Sequence, residues 1–432
     1  MPDPIIPETS QKNIKPRPRT TIATPKTTAS QPFGPAATIT RRAADRLRAG
    51  HPWVYLSDIE SLTPAIGETS IPAGSLSSVL DNRGIPLGTA LYSDSSQIAL
   101  RLVSEKKALT RQDYLADVRE RVEKALRMRE NLTACRLIFS EADELPGIVV
   151  DRYNDLVIMQ LLTQGTAQDD VRKVLLETIV EVVHPQTLIE RPDPRIRELE
   201  NLELPPSEPL FSASKEPKLK TIFDVNGLSF QYDAASGQKT GAFLDQRENY
   251  AAAARYARGR GLDVCTYQGG FALHLAQHCQ QVTGIDASRA ALEVADANLQ
   301  LNRQLGAQVD WIEADAFDLL RAYSDSKEEF STIVLDPPAF AKSKRAMEGA
   351  MRGYKELNLR AFKMLREGGV LATCSCSQHI SLQDFTGMVT AAAVDGGRRV
   401  QVLEVRGAAV DHPAILTIPE TSYLKCLILK VL

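Results

Sequence analysis

No run of about 18 apolar residues occurs in the 432-residue chain, the length a helix needs to cross a bilayer. No membrane span is expected. The N-terminus lacks a charged start followed by an apolar core, so no secretory signal is expected either. Cysteine is sparse, with Cys135, Cys265, Cys279, Cys374, Cys376 and Cys426 alone. None falls in a CxxC or other zinc spacing, and a chain of this size with six cysteines is not a disulfide scaffold. No metal site is expected, and a reduced, cytoplasmic location fits best. Net charge is also small, at -3. Any nucleic-acid surface must therefore be a local basic patch.

What remains is an ordinary globular composition, 43% hydrophobic and 24% charged. The length suggests two or three domains. Residues 1–36 are rich in Pro, Thr and Ser, carry Lys12, Lys15, Arg17, Arg19 and Lys26, and show no apolar periodicity. They read as a disordered basic tail. Residues 37–105 read as a small strand-rich module. A short strand leads into a basic helix at 39–48, and strands follow at 50–55, 75–81, 86–92 and 97–103. Arg41, Arg42, Arg46 and Arg48 lie close in sequence to Trp53 and Tyr55. Arginine for phosphates and aromatics for bases is the combination RNA binding uses. The competing reading is a solvated helix face over a packed tryptophan. Residues 106–220 read as a central α/β domain and connector, with a helix at 110–131 that Thr110 can cap. Strands at 136–140, 147–150, 155–162 and 187–190, a helix at 167–183 and a connector at 203–220 complete it. No full catalytic constellation is legible there.

From residue 221 to 432 the pattern changes. A hairpin at 221–232 precedes regular alternation of strands and helices, which predicts a doubly wound, Rossmann-like parallel sheet. Ligands in such sheets sit beyond the C-terminal ends of the strands. The first strand ends in Asp263-Val264-Cys265-Thr266-Tyr267-Gln268-Gly269-Gly270. Its glycines let backbone approach a ligand, and Tyr267 lies in the same turn. The second strand ends at Asp286, placed to accept from ribose hydroxyls, and Asp315 after the third can meet an adenine end. These residues fit NAD as well as S-adenosylmethionine (SAM), although the turn is not GxGxxG.

The fourth strand ends in Asp336-Pro337-Pro338-Ala339-Phe340, followed by Lys342 and Lys344. The prolines fix the backbone beside a carboxylate that can hold the amino edge of a base. Phe340 can pack on the base and the lysines can meet phosphates. The last strand, at 370–373, is expected to follow a helix ended by Gly368-Gly369, and it runs out into Cys374-Ser375-Cys376. A thiolate added to C6 of cytosine makes C5 nucleophilic enough to take a methyl group. Cys376, further out than Cys374, is the expected nucleophile. Cys374 is expected to be a packing residue.

Several blocks carry a resemblance. They are Gly50-His51-Pro52-Trp53-Val54; Arg136 with Glu141, Asp143, Leu145-Pro146-Gly147 and Asp151-Arg152-Tyr153; and Gly237-Gln238-Lys239-Thr240-Gly241 with Phe243-Leu244-Asp245-Gln246-Arg247-Glu248-Asn249. The others are Asp336-Pro337-Pro338-Ala339-Phe340-Ala341-Lys342-Ser343, Ser375-Cys376-Ser377, Pro419-Glu420-Thr421 and Tyr423-Leu424-Lys425. With them the chain beyond residue 37 resembles the PUA-domain class I methyltransferases of large-subunit ribosomal RNA, the RlmI-like family. The resemblance implies an N-terminal PUA domain that binds RNA, a central α/β domain and a SAM-dependent methyltransferase domain. It implies 23S ribosomal RNA as partner, C5 of a cytosine as target and Cys376 as nucleophile. It places Asp336 at the catalytic centre, and it adds Gln246 and Arg247 to a cofactor set of Asp263, Tyr267, Gly269, Gly270, Asp286, Asp315 and Asp336. Related domains often pair, so a homodimer is among its implications. The long tail and Ala242, where the family has a larger aromatic, depart from the pattern.

Three other readings compete. A SAM enzyme could methylate an exocyclic amine such as guanine N2, using Asp336-Pro337-Pro338 and no thiol. A non-catalytic RNA- or ribosome-binding protein could retain the pocket. An NAD dehydrogenase fits the residues least.

Overall fold

The computed structural model describes residues 26–27, 34–235, 242–340 and 344–432. Most of the expected basic tail, the Gly237–Gly241 run and Lys342 therefore lie outside the described residues. Among the described residues, no helix is long and apolar enough to cross a membrane.

Among the described residues four sheets, one of them a two-stranded hairpin, follow one another along the chain in an α/β architecture. The N-terminal sheet has seven strands, in the order Lys26–Thr27, Ile59–Thr63, Ala36–Ile39, Leu76–Leu80, Pro86–Tyr92, Ile98–Ser104 and Trp53–Tyr55. Its helix Arg41–Arg48 begins on the Thr40 hydroxyl, which accepts from Ala43 N, a side-chain N-cap. The Ile59–Thr63 strand was not anticipated. The central sheet has five strands, from Ala134–Phe139 through Ile148–Tyr153, Leu156–Leu161 and Thr187–Glu190 to Phe211–Ser212. Residues 211–212 thus form an edge strand within the expected connector. Thr110 caps the helix Arg111–Arg127 as its sequence suggests.

In the C-terminal domain we number the strands β1 (Gly259–Val264), β2 (Cys279–Asp286), β3 (Gln308–Glu313), β4 (Phe330–Leu335), β5 (Leu365–Ser375), β6 (Val400–Arg406) and β7 (Lys425–Val431). Helices are α1 (Arg247–Tyr256), α2 (Gly270–Leu275), α3 (Arg289–Leu301), α4 (Ala316–Asp325), α5 (Met347–Met364) and α6 (Leu382–Asp395). The sheet order is β3-β2-β1-β4-β5-β7-β6. β1 to β5 are parallel neighbours, and β7 runs antiparallel to both β5 and β6. This is the doubly wound sheet, extended by a hairpin-like edge that the alternation did not reveal. One face packs against α1 and α2, the other against α4, α5 and α6.

Gly368 and Gly369 do not end a helix. α5 stops at Met364, and both glycines lie inside β5. There the pairing jumps from Leu365 opposite Phe330 to Val370 opposite Thr332. The extra residues bulge, Gly368 sits at φ +70°, and a Cβ on Gly369 would lie 2.8 Å from the Arg366 carbonyl oxygen. Beyond the bulge, Val370, Ala372 and Cys374 face one core and Leu371 the other, the alternation of a pleated strand.

The central and C-terminal domains share one continuous core. The hairpin Lys220–Val225 and Leu228–Asp233 lies between them, and Tyr153 stacks on Tyr232 at 4.2 Å between ring centroids. A second join is polar. Asp411 is fully buried and accepts from Arg136 N at 2.9 Å, from Arg247 at 3.2 and 3.4 Å, and from or toward His412 Nδ1 at 3.2 Å. Its carbonyl accepts from Arg129, itself paired to Asp143. Burial alone raises a carboxylate, but His412, Arg247 and the Arg136 amide hold Asp411 below its ordinary value. Asp411→Ala should leave Arg247 buried with only the Ala134 carbonyl at 2.9 Å and Glu248 at 3.9 Å among the described residues. We expect a loss of about 3–5 kcal/mol in denaturant unfolding; a loss below about 1 kcal/mol would show the hub to be dispensable.

Candidate active site

The turn after β1 is strained in a way that marks a binding site. Cys265, Tyr267 and Gly269 have φ of +65°, +52° and +84°. Two of these are not glycine, and each such residue costs about 1–3 kcal/mol unless its surroundings impose it. Here they do. Tyr267 N donates to Asp286 Oδ2 at 2.9 Å, Thr266 N to the Ile285 carbonyl at 2.8 Å, and Asn298 of α3 to the Gln268 carbonyl at 3.0 Å. Gly270 is needed for space, since a Cβ there would lie 2.6 Å from the Tyr250 ring.

A cavity of about 710 Å³ runs along the C-terminal ends of β2, β1, β4 and β5. It is lined by Tyr267, Asp286, Asp315, Asp336, Pro337, Phe340, Gln246 and Cys376 among the expected residues. The structure therefore brings the two ends of the expected chemistry into one space. Asp315 also caps α4, with Oδ1 accepting from Phe317 N and Asp318 N at 2.8 and 3.1 Å. Phe340 packs at a tilt against Tyr354 and Phe317, at 4.7 and 5.9 Å between centroids.

Electrostatics link the groups along the cavity. The acids that push Cys265 up, after burial, are Asp286, Asp336, Asp263 and Asp315. Those that push Cys376 up are Asp336 and Asp245. The strand order β3-β2-β1-β4-β5 places Asp315 and Asp286 toward one end, Asp336 in the middle and Cys376 toward the other, with Asp245 near enough to raise the Cys376 thiol. Burial, then Asp245 and Asp263, raise Asp336 to about 8, against a hydrogen bond from Gln246. Cys376 is half-buried and raised to about 11 by burial, then by Asp336 and Asp245, while Lys425 pulls it down.

Cys376 lies one residue beyond the last rung of the β5–β7 ladder, Ser375 opposite Lys425. Cys374 is still in the ladder, buried opposite Cys426, so it packs as expected. The turn that presents Cys376 is held from both sides. Lys425 Nζ donates to the Ser377 and Tyr423 carbonyls at 2.6 and 2.8 Å, and the Ser377 hydroxyl meets Tyr354 OH at 3.0 Å. Burial lowers Lys425 to about 8.

Several expected residues sit elsewhere. Asp263 does not line the cavity. It is fully buried under the turn, with Oδ2 accepting from the Thr266 hydroxyl and Ala272 N at 2.6 and 2.8 Å. Its Oδ1 has no partner among the described residues, and burial raises the acid to about 7. Gly269 likewise shapes the turn, above Trp311. Arg247 belongs to the Asp411 hub, because a buried guanidinium goes to the nearest buried acid. In the N-terminal domain the basic cluster is largely neutralised. Arg46 donates to Asp58 at 2.7 Å and to the Trp53 carbonyl, and lies over the Tyr55 ring at 5.0 Å. Arg48 pairs with Asp81 at 2.6 Å. Arg42 also reaches Asp58, yet its side chain is 80% exposed, as is 84% of Arg41. Arg48 keeps 41% of its side chain exposed beside its pair. Trp53 is half-buried; its indole donates to Glu141 of the central domain at 2.9 Å, and its ring meets the His51 ring edge-on at 5.3 Å. Lys344 starts a 3-10 turn at 344–346.

Four further residues complete the wall around Cys376: Arg136 from the central domain, Asp245, His412 and Tyr423. Three stand in the family blocks, but without a role that spacing could assign. His412 had one signal, a histidine following an acid in an otherwise apolar stretch.

The lining suits a cationic cofactor. Asp286 and Asp315 line the strand ends, and SAM carries a sulfonium and an ammonium group. Comparisons with known proteins agree. Residues 37–105 match a PUA-like domain and residues 205–414 an S-adenosylmethionine-dependent methyltransferase. The chain is 37% identical over 390 residues to ribosomal RNA large subunit methyltransferase I of Photobacterium profundum, covering 88% of this chain and 95% of that one. It is 35% identical over 384 residues to the protein of that name from Shigella dysenteriae serotype 1, covering 87% and 93%. The crystal structure of SMU.776, a methyltransferase complexed with SAH, shares the fold. It has a TM-score of 0.76 at 19% identity and covers 91% of this chain and 99% of that one.

The raised acids make a pH signature. Between about pH 4, where an unfolded aspartate ionises, and about pH 8, the folded chain holds a proton on Asp336 that the unfolded chain has released. Asp263 adds the same effect up to about pH 7. Stability should therefore fall as pH rises through this window. Asp336→Asn should flatten that fall in melting curves from pH 5 to 8.5; an unchanged slope would refute it.

Proposed function

The chain belongs to the ribosomal RNA large subunit methyltransferase I family, and from that membership we propose that it methylates C5 of a cytosine in large-subunit ribosomal RNA through a Cys376–C6 adduct. At the coarser level it is a SAM-dependent methyltransferase of ribosomal RNA. The observation that carries the finer reading is that Cys376 opens into the same cavity as Asp286, Asp315 and Asp336.

SAM supplies an electrophilic sulfonium methyl group when bound. Tyr267, Asp286 and Asp315 would hold it, with Gln246 alongside. Asp336, raised to about 8, is protonated near neutrality. A neutral carboxyl group can donate to cytosine N3 while its carbonyl oxygen accepts from the N4 amine. A donor at N3 also stabilises the electron density that arrives when sulfur adds to C6. A protonated Asp336 also carries no charge to oppose a neighbouring thiolate, and the Lys425 cation favours one. Pro337 and Phe340 would wall the base, and Arg41 and Arg42 are the most exposed arginines of the N-terminal helix for meeting phosphates. The N-terminal match supports an RNA-binding role for that domain.

Cys376→Ala should lower methyl transfer to ribosomal RNA by at least about 10³-fold, with SAH affinity by calorimetry unchanged. Mapping of 5-methylcytosine with and without the gene should show one lost site. Unchanged turnover in Cys376→Ala would sink the adduct and favour transfer to an exocyclic amine.

A further inference from the structure

A C5 methylation leaves a proton on C5 that must be removed before the enzyme is released. Asp336 is ill placed for this, since a group bonded along the N3–N4 edge lies in the ring plane. The C5 proton leaves perpendicular to that plane, where its electron pair can rejoin the ring. A second acceptor is needed on the Cys376 side of the cavity.

Among the described lining residues, two acceptors remain there, Asp245 and His412. His412 is buried, with Nδ1 against Asp411 at 3.2 Å and its ring packed on Phe139 at 5.1 Å. Asp245 is half-buried and is held at both its side chain and its backbone. Tyr423 OH donates to its Oδ2 at 2.5 Å, and Ala409 N donates to its carbonyl at 2.8 Å. That leaves Oδ1 for the cavity. Asp245 also lies close enough to Cys376 to push the thiol up.

Resting on the cytosine-C5 reading, we propose that Asp245 is the base that takes the C5 proton and that Tyr423 is the positioning residue that aims it. In that step the C5–H bond breaks and the proton goes to Asp245. The freed electron pair re-forms C5=C6, the Sγ–C6 bond breaks, and its electrons return to Cys376 as thiolate. No outside oxidant or reductant is required.

The proposal separates adduct formation from adduct breakdown, and so does its test. Full-length protein, SAM labelled in the methyl group and ribosomal RNA from a strain lacking the gene are the reagents. Asp245→Asn should still transfer the label but trap it in a protein–RNA adduct that survives denaturing gels. Release of methylated RNA should fall by about 10²–10⁴-fold. Asp245→Glu should restore part of the release. Tyr423→Phe should slow release while adduct still forms. Free turnover by Asp245→Asn, or trapping by His412→Gln in its place, would overturn the assignment. If Cys376→Ala retains activity and no variant traps an adduct, the cytosine-C5 reading itself has failed.

Discussion

One buried carboxylate, Asp411, holds the catalytic half of the molecule together. It neutralises Arg247 of α1, orders the Ala134–Phe139 strand through the Arg136 amide, and fixes His412. A charge so deep is stable only while its partners stay in place. It therefore sets the distance between two domains rather than simply adding cohesion. The wall opposite the cofactor strand ends depends on that distance, because Arg136 comes from one domain and Asp245, His412 and Tyr423 from the other. The central domain, which showed no catalytic constellation of its own, is part of the site.

The cavity is rich in acids and lined by one arginine, which is itself paired with Asp151 at 2.8 and 3.1 Å. Such a space favours a cationic cofactor and disfavours phosphate. Burial first, and then repulsion from Asp245 and Asp263, keep Asp336 protonated near neutrality.

What the sequence revealed was local, and what it hid was long-range. The β1 turn, Asp286, Asp336 and Cys376 each sit at the end of an apolar run, where strand polarity alone predicts a ligand. Arg46 and Arg48 looked free because their partners, Asp58 and Asp81, lie 12 and 33 residues on. Arg247 looked like a cofactor residue because Asp411 is 164 residues away. Asp263 read as a ligand contact, yet its burial turns it inward to brace the loop. Gly368-Gly369 read as a helix stop because a strand bulge and a helix end call for the same residue. β6 and β7 escaped notice because antiparallel edge strands break the alternation that marks a doubly wound sheet.

The segment between β6 and β7 touches more of the molecule than its length suggests. Ala409 and Tyr423 grip Asp245. Between them, Thr417 donates to the Gly50 carbonyl at 2.9 Å and Glu420 meets His51 at 3.2 Å. One strip of chain is therefore stretched from the catalytic pocket to the N-terminal domain and back. It acts as a ruler. A residue added or removed between Ala409 and Tyr423 would have to be absorbed at one anchor or the other, so drift in its length is coupled to drift in the outline of the N-terminal domain.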